Sequence, residues 1–269
     1  MRRKSLGVIW GMFGVFIIIF ILNFSLTINI FANQRMFLVL QLWSVILSII
    51  LIVKNKLPND NHIKISIVLS FLVAISYYEV AIVAVFTGFM ITLLSSLAMF
   101  STFEKFNYEK LTFLNNYTKK SIYMTIFLGI GAGVILGVVN LLLMSMSNTP
   151  NLHIKLSCFI VALSPAIYEE IVMRSLFYAF CIDLINGKVE TKNQKLTCWF
   201  MMIMPHVIVH TPDTFVYGGV YEGIIVIVMY ILVFALPLTI LQKKRDITSA
   251  MIAHGMIDFI RFCFYGIPF

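Results

Sequence analysis

Three short patterns combine acid–base residue types with spacings that place them on shared helix faces. The first is Glu169-Glu170-Ile171-Val172-Met173-Arg174, which puts three formal charges inside an otherwise apolar run. Each such charge costs roughly 2.5–3.5 kcal/mol on insertion into lipid, so the group persists only with partners or a purpose. Glu170 and Arg174 stand at i and i+4 and can pair on one face. Glu169 points about 100° away from Glu170 and need not be neutralised by that pair. A carboxylate kept from water is the stronger base, which suits general-base work near neutral pH. A structural Glu–Arg lock between two helices accounts for one glutamate, but not readily for a second beside it. Pro165, four residues before Glu169, is placed to bend the helix and open space.

The second pattern is Met202-Ile203-Met204-Pro205-His206, followed by His210. A lone histidine in a membrane helix is usually a packed, hydrogen-bonded group. His206 and His210, however, stand at i and i+4, the spacing of a two-histidine metal site. His210 falls beside Thr211-Pro212-Asp213 near a helix end, so His206 is the catalytic candidate and His210 is expected at the interface. The third pattern is His254-Gly255-Met256-Ile257-Asp258, again i and i+4, with Arg261 positioned to hold Asp258 instead. The helix midpoints fall near residues 168, 204 and 257. Glu169, His206 and Asp258 therefore sit close to midplane, with His254 a turn away. Ionisable groups at a common depth in a membrane form a functional site by default.

To hold these groups at one depth the chain needs membrane-spanning helices, and its composition supplies them. Of 269 residues, 60% are hydrophobic and 12% charged, with mean hydropathy +0.96; a soluble domain carries about 25% charged residues. Runs of roughly 20 apolar residues span a bilayer, and in lipid they must be helical because no water satisfies their backbone. The expected fold is all-α: a polytopic transmembrane bundle of eight or nine helices, with the catalytic core in the C-terminal half. The helices read as 7–32, 36–53, 64–78, 80–102, 121–146, 155–182, 196–212, 221–241 and 247–267, with Glu79 splitting the apolar stretch 64–102. Residues 1–102 read as anchoring or packing helices and 121–267 as the core. Gly129, Gly131, Gly133 and Gly137 read as packing positions.

Met1-Arg2-Arg3-Lys4 leads into an apolar run longer than a signal-peptide core of roughly 7–15 residues, and so reads as an uncleaved anchor. With the N-terminus inside, the inner segments collect Arg2, Arg3, Lys4, Lys54, Lys56, Lys64, Lys105, Lys110, Lys119, Lys120, Lys188, Lys192, Lys195, Lys243, Lys244 and Arg245. The outer segments hold only Arg35 and Lys155. The net charge of +8 is thus a topology signal, with a cytoplasmic N-terminus, and argues against nucleic-acid binding. Cys158, Cys181, Cys198 and Cys263 show no CxxC spacing, so neither a disulfide framework nor a zinc knuckle is indicated.

In order and spacing, the three patterns resemble the CAAX protease and bacteriocin-processing (CPBP, or Abi) family of intramembrane proteases. That family shows EExxxR, then FxxxH, then HxxxN or HxxxD on successive helices. Here Glu169, Glu170 and Arg174 match the first motif, and His254 and Asp258 the third; His206 fits the second, with Met202 in place of phenylalanine and Phe200 two residues away. The resemblance covers about 121–267 and implies hydrolysis of a peptide bond in or near the membrane. Carried over, Glu169 activates water assisted by His206, while His254 and residue 258 stabilise the oxyanion. An ionised Asp258 would repel that oxyanion, so it is protonated, orients His254, or ligates a metal. Glu169, His206 and His254 are also a candidate three-ligand zinc site with an open position, although no HExxH occurs. The implied partners are the bilayer and a membrane-associated peptide or protein: a bacteriocin, a pheromone or a CAAX-like substrate. Abundant Ile, Lys and Asn fit a low-GC bacterium, hence a bacterial plasma membrane. Two alternatives remain: a non-catalytic scaffold or bacteriocin self-immunity protein on the same fold, and a transporter. The first needs no intact acid–histidine set; the second usually shows repeats and paired interrupted helices, which are not evident here.

Overall fold

The computed structural model describes residues 2–26, 30–78, 80–146 and 149–267. Among the described residues there are nine continuous helical segments and no strands, as the apolar runs require. They are α1 (Arg2–Asn23), α2 (Ala32–Asn55), α3 (Asp60–Ser76), α4 (Ile82–Lys105), α5 (Lys119–Ser145), α6 (Leu156–Leu184), α7 (Lys192–Val209), α8 (Pro212–Lys244) and α9 (Ile247–Tyr265). Seven are long and apolar enough to cross a membrane; α3 and α7, at 17 and 18 residues, are not among them. Glu79 itself lies outside the described residues, but the helices on either side of it end at Ser76 and begin at Ile82.

The two helix ends that differ most from the sequence reading each do so for a local reason. The first helix stops at Asn23 rather than continuing to residue 32. There the Asn23 amide donates to the Ala32 carbonyl (2.9 Å) and accepts from Arg35 Nε (2.6 Å), so a polar cluster turns the chain. The eighth helix begins at Pro212, nine residues earlier than read. Proline at the first helical position loses no hydrogen bond, and Asp213 in the first turn accepts from the Ala32 backbone N–H at 2.8 Å. The break that resembles a loop in sequence is confined to Gly219, at φ 80° and ψ −179°, a conformation costly for any residue with a Cβ.

The chain divides into two compact units. The first comprises Met1–Asn59, Leu94–Lys110 and Val172–Leu236. Its core is aromatic: Trp10 and Phe13 of α1 both pack on Phe200 of α7, and Trp43 of α2 packs edge-on against Phe177 of α6. Phe200 is thus a packing residue, while Met202 is fully buried two positions on. At one end of this unit Asp183 accepts from Asn55 Nδ2 (3.0 Å) and pairs with Lys54.

The second unit comprises Asp60–Leu93, Leu111–Ile171 and Pro237–Phe269. Here α9 packs against α5 and against the first part of α6. The close approach of α5 depends on its glycines: a Cβ on Gly133 would lie 2.6 Å from the Met256 Cβ and 2.7 Å from the Ala253 carbonyl oxygen. Gly129 and Gly137 face Ile252 and Ile260 in the same way, so three of the four glycines are contact points and Gly131 is open. The start of α9 is held by Asp246, which caps the helix through Ser249 N–H (2.8 Å) and accepts from Thr125 Oγ1 (2.6 Å) and Asn115 N–H (3.1 Å). Since α9 carries His254 and Asp258, these contacts set their height and rotation. Gly133→Leu is expected to destabilise the protein by about 1–3 kcal/mol through overpacking, read as a lower melting temperature in detergent, whereas Gly131→Leu leaves it nearly unchanged.

Candidate active site

Pro165 does more than bend α6. From Pro165 to Ser175 the helix is a π-helix of 11 residues, with hydrogen bonds running to i+5 rather than i+4. Such widened turns are rare and concentrate at functional sites. The proline starts the segment because it has no N–H to donate. Glu169, Glu170 and Arg174 all lie in this wide stretch, which belongs to one of the least apolar and the most deeply buried of the seven spans. Packing inside protein is what shields these charges from lipid.

In the second unit, three carboxylates converge on the imidazole of His254. Glu170, 0% exposed, places Oε1 at 2.7 Å from His254 Nδ1. Its other oxygen, Oε2, accepts from Gln242 Nε2 at 2.7 Å. A carboxylate accepting at both oxygens assigns the Nδ1 proton to His254, leaving Nε2 to face the site. Nε2 stands 3.6 Å from Glu169 Oε2 and 3.4 Å from Asp258 Oδ2. Asp258 Oδ1 in turn lies 3.1 Å from Arg261 Nε, so the arginine one turn away does neutralise it. Glu169 is the more open of the two glutamates, with 17% of its side chain exposed. Nearby, Ser164 donates to the Tyr77 hydroxyl at 2.6 Å, so the segment 1–102 supplies a polar contact beside the start of the π-helix.

In the first unit, a second set forms around His206. Arg174, 1% exposed, donates from Nε to His206 Nδ1 (3.1 Å) and from Nη1 to the Ala235 carbonyl (2.9 Å). Ala235 ends a short π-turn, Ile231–Ala235, just before Pro237, where the helix lacks a donor. A guanidinium is always a donor, so His206 Nδ1 must accept and Nε2 carries the ring proton. That nitrogen stands 3.1 Å from His210 Nε2. The His210 ring lies edge-on to Phe37 and Tyr230.

Within the second unit, Glu169, Glu170 and Asp258 gather around His254; within the first, Arg174 is bonded to His206. Spacing placed Glu170 opposite Arg174. The hydrogen bonds described above give each a further partner of its own: His254 and Gln242 for Glu170, His206 for Arg174. Two participants were not among the catalytic candidates read from sequence. His210, expected at the interface, is bonded to His206, and its i,i+4 spacing was the available signal. Gln242, buried behind Glu170, carried no signal, because an amide before Lys243-Lys244-Arg245 reads as an ordinary polar helix end.

Residues 151–260 match the family model described as Type II CAAX prenyl endopeptidase Rce1-like. The matched span holds every candidate site residue and begins after α5. The family resemblance carried by the three motifs is borne out over this span. No curated protein and no solved structure matches the chain.

Proposed function

Starting from an Rce1-like domain, of a family of CAAX-type proteases, at residues 151–260, we propose that this protein is an intramembrane endopeptidase that hydrolyses a peptide bond of a membrane-associated peptide or protein. The observation that carries the reading is the buried Glu170–His254 hydrogen bond, with Glu169 and Asp258 on the ring's other nitrogen. Glu169 takes a proton from water as the water oxygen attacks the scissile carbonyl. His254, protonated at both nitrogens and held by Glu170, donates from Nε2 to the oxyanion so formed. Collapse of that intermediate breaks the C–N bond, and the proton held by Glu169 passes to the leaving amine. Asp258, paired with Arg261, orients His254 rather than binding the oxyanion itself. The assisting role that the resemblance gives His206 is that of a donor through Nε2–H.

Of the zinc set Glu169, His206 and His254, the hydrogen bonds fit only part. His206 cannot offer Nε2 to a cation while Arg174 donates to Nδ1, since the ring would have to lose its last proton. The surroundings of His254 do fit one: Nδ1 on a carboxylate, and two further carboxylates within 3.6 Å of Nε2. A second reading thus places a divalent cation on His254, Glu169 and Asp258. Chelator separates the two, leaving cleavage intact in the first and abolishing it in the second. The seven apolar spans put the protein in a membrane; the orientation read from basic residues places the N-terminus in the cytoplasm, and the composition points to a bacterial plasma membrane.

The test is to incubate the purified protein with a library of membrane-associated peptides, including bacteriocin-, pheromone- and CAAX-like sequences, and to read cleavage by mass spectrometry. Wild type is expected to cleave a subset, and His254→Gln to lower the rate by about 10²–10³-fold, the usual cost of one oxyanion donor. Equal cleavage by both, or none by folded wild type across a broad library, sinks the protease reading in favour of a scaffold or immunity protein.

A further inference from the structure

The face of α5 next to its glycines is unoccupied within the second unit. Leu128, Ala132 and Leu136 follow one another at i, i+4 and i+8 along it. Opposite them run Leu241 and the end of α8, enclosing a groove of about 400 Å³ whose far end carries Lys244 and Arg245. Ligand sites span about 300–1,000 Å³, so this one has room for a single hydrocarbon chain rather than a folded peptide. Its side walls are aliphatic and offer no partner for an extended peptide backbone.

The charged end is built. Arg245 donates to the Thr125 hydroxyl at 3.0 Å and to the Ser121 hydroxyl at 2.7 Å, pinning the end of α8 to the first turns of α5. Lys244 is exposed beside the groove, and Lys119 and Lys120 are exposed in the first turn of α5. The nearby carboxylate, Asp246, is buried, held by Thr125, Ser249 and Asn115, and pairs with Arg245 (3.4 Å), so Lys244 and the two lysines of α5 carry the charge that faces outward. The N-terminus of this 27-residue helix, whose Ser121 N–H is capped by Thr118, adds its dipole to the positive field. An apolar slot closed by exposed cations matches one acyl chain below an anionic head.

We infer that the α5–α8 groove is a binding site for an anionic phospholipid, one acyl chain lying along Leu128, Ala132 and Leu136 and the phosphate against Lys244 and the first turn of α5. A zwitterionic lipid fills the slot equally well but gains nothing net from the cations, so headgroup selectivity is the distinguishing property. Leu241 lines the slot from the same turn of α8 whose Gln242 holds Glu170, so the lipid sits on the outer side of the helix that braces the buried carboxylate.

The experiment is native mass spectrometry of the full chain released from bilayers of equal phosphatidylglycerol and phosphatidylcholine. Wild type is expected to retain one phosphatidylglycerol with about tenfold preference. Ala132→Phe, which fills the slot, is expected to lose the bound lipid. Lys244→Gln, at an exposed position that does not threaten folding, is expected to cut the preference about fivefold. Equal retention of the two lipids by wild type means an unselective annular contact and overturns the proposal. So does phosphatidylglycerol retention that neither substitution changes. Should Ala132→Phe fail to fold, the Lys244→Gln result decides alone.

Discussion

Replacing Glu169 with glutamine is expected to lower the rate of peptide cleavage by up to about 10⁴-fold while leaving the melting temperature near that of wild type. General-base catalysis by a positioned side chain is worth about 10²–10⁴-fold, and glutamine keeps the shape of glutamate while giving up its basicity. Little stability is at stake, because Glu169 is partly open, with 17% of its side chain exposed, and glutamine fills the same space. The loss should fall on kcat, with KM almost unchanged, since the carboxylate acts on the water rather than on substrate binding. The measurement is a steady-state assay on the best peptide from the library, with circular dichroism on the same sample. A variant that keeps more than about a tenth of wild-type activity would show that water is activated elsewhere. Repeating the assay with chelator then asks whether a cation on His254, Glu169 and Asp258 does so.

The membrane class and the identity of the ionisable cluster were legible in sequence for one reason: a charge inside an apolar run has a large cost. Glu169, Glu170, His254 and Asp258 stand out against that background, as does Arg174. Their pairing was not legible, because spacing arguments presume α-helical turns. Pro165 opens a π segment in which successive side chains rotate by less than in an α-helix, so α-helical spacing did not point to His254 and Gln242 as partners of Glu170. The two π segments and the Gly219 break are backbone departures, visible in sequence only as an isolated proline or glycine. Gln242 was hidden for a different cause. Its residue type is common at helix ends, and only the fold turns it toward Glu170 instead of solvent. His210 shows the converse, a legible spacing discounted because of the helix end beside it.

The second large effect is expected at Glu170, where two substitutions separate folding from chemistry. Glu170→Leu removes the carboxylate acceptor of the His254 Nδ1 proton and the shorter bond of Gln242 Nε2, which keeps the Glu170 backbone carbonyl at 3.3 Å, and removing one partner of a buried charged pair costs about 3–5 kcal/mol. The protein should unfold in detergent well below the wild-type temperature, or fail to accumulate. Glu170→Gln is the informative variant. The new amide still accepts from His254 Nδ1–H through its oxygen, and its NH₂ can donate to Gln242 Oε1 if that side chain turns, an oxygen that is buried with no partner in the present arrangement. Folding should therefore survive with a loss of about 1–3 kcal/mol. Activity should not, because a neutral partner no longer stabilises the protonated imidazole whose Nε2–H meets the oxyanion. In a serine-protease triad the equivalent exchange of carboxylate for amide costs on the order of 10⁴-fold, so a fall of 10³-fold or more is expected here. A folded Glu170→Gln protein with near wild-type cleavage would reduce Glu170 to a packing residue and leave His254 to act in its neutral form. A melting temperature unchanged by Glu170→Leu would mean instead that the buried pair contributes nothing net to stability, so that its value lies wholly in the reaction.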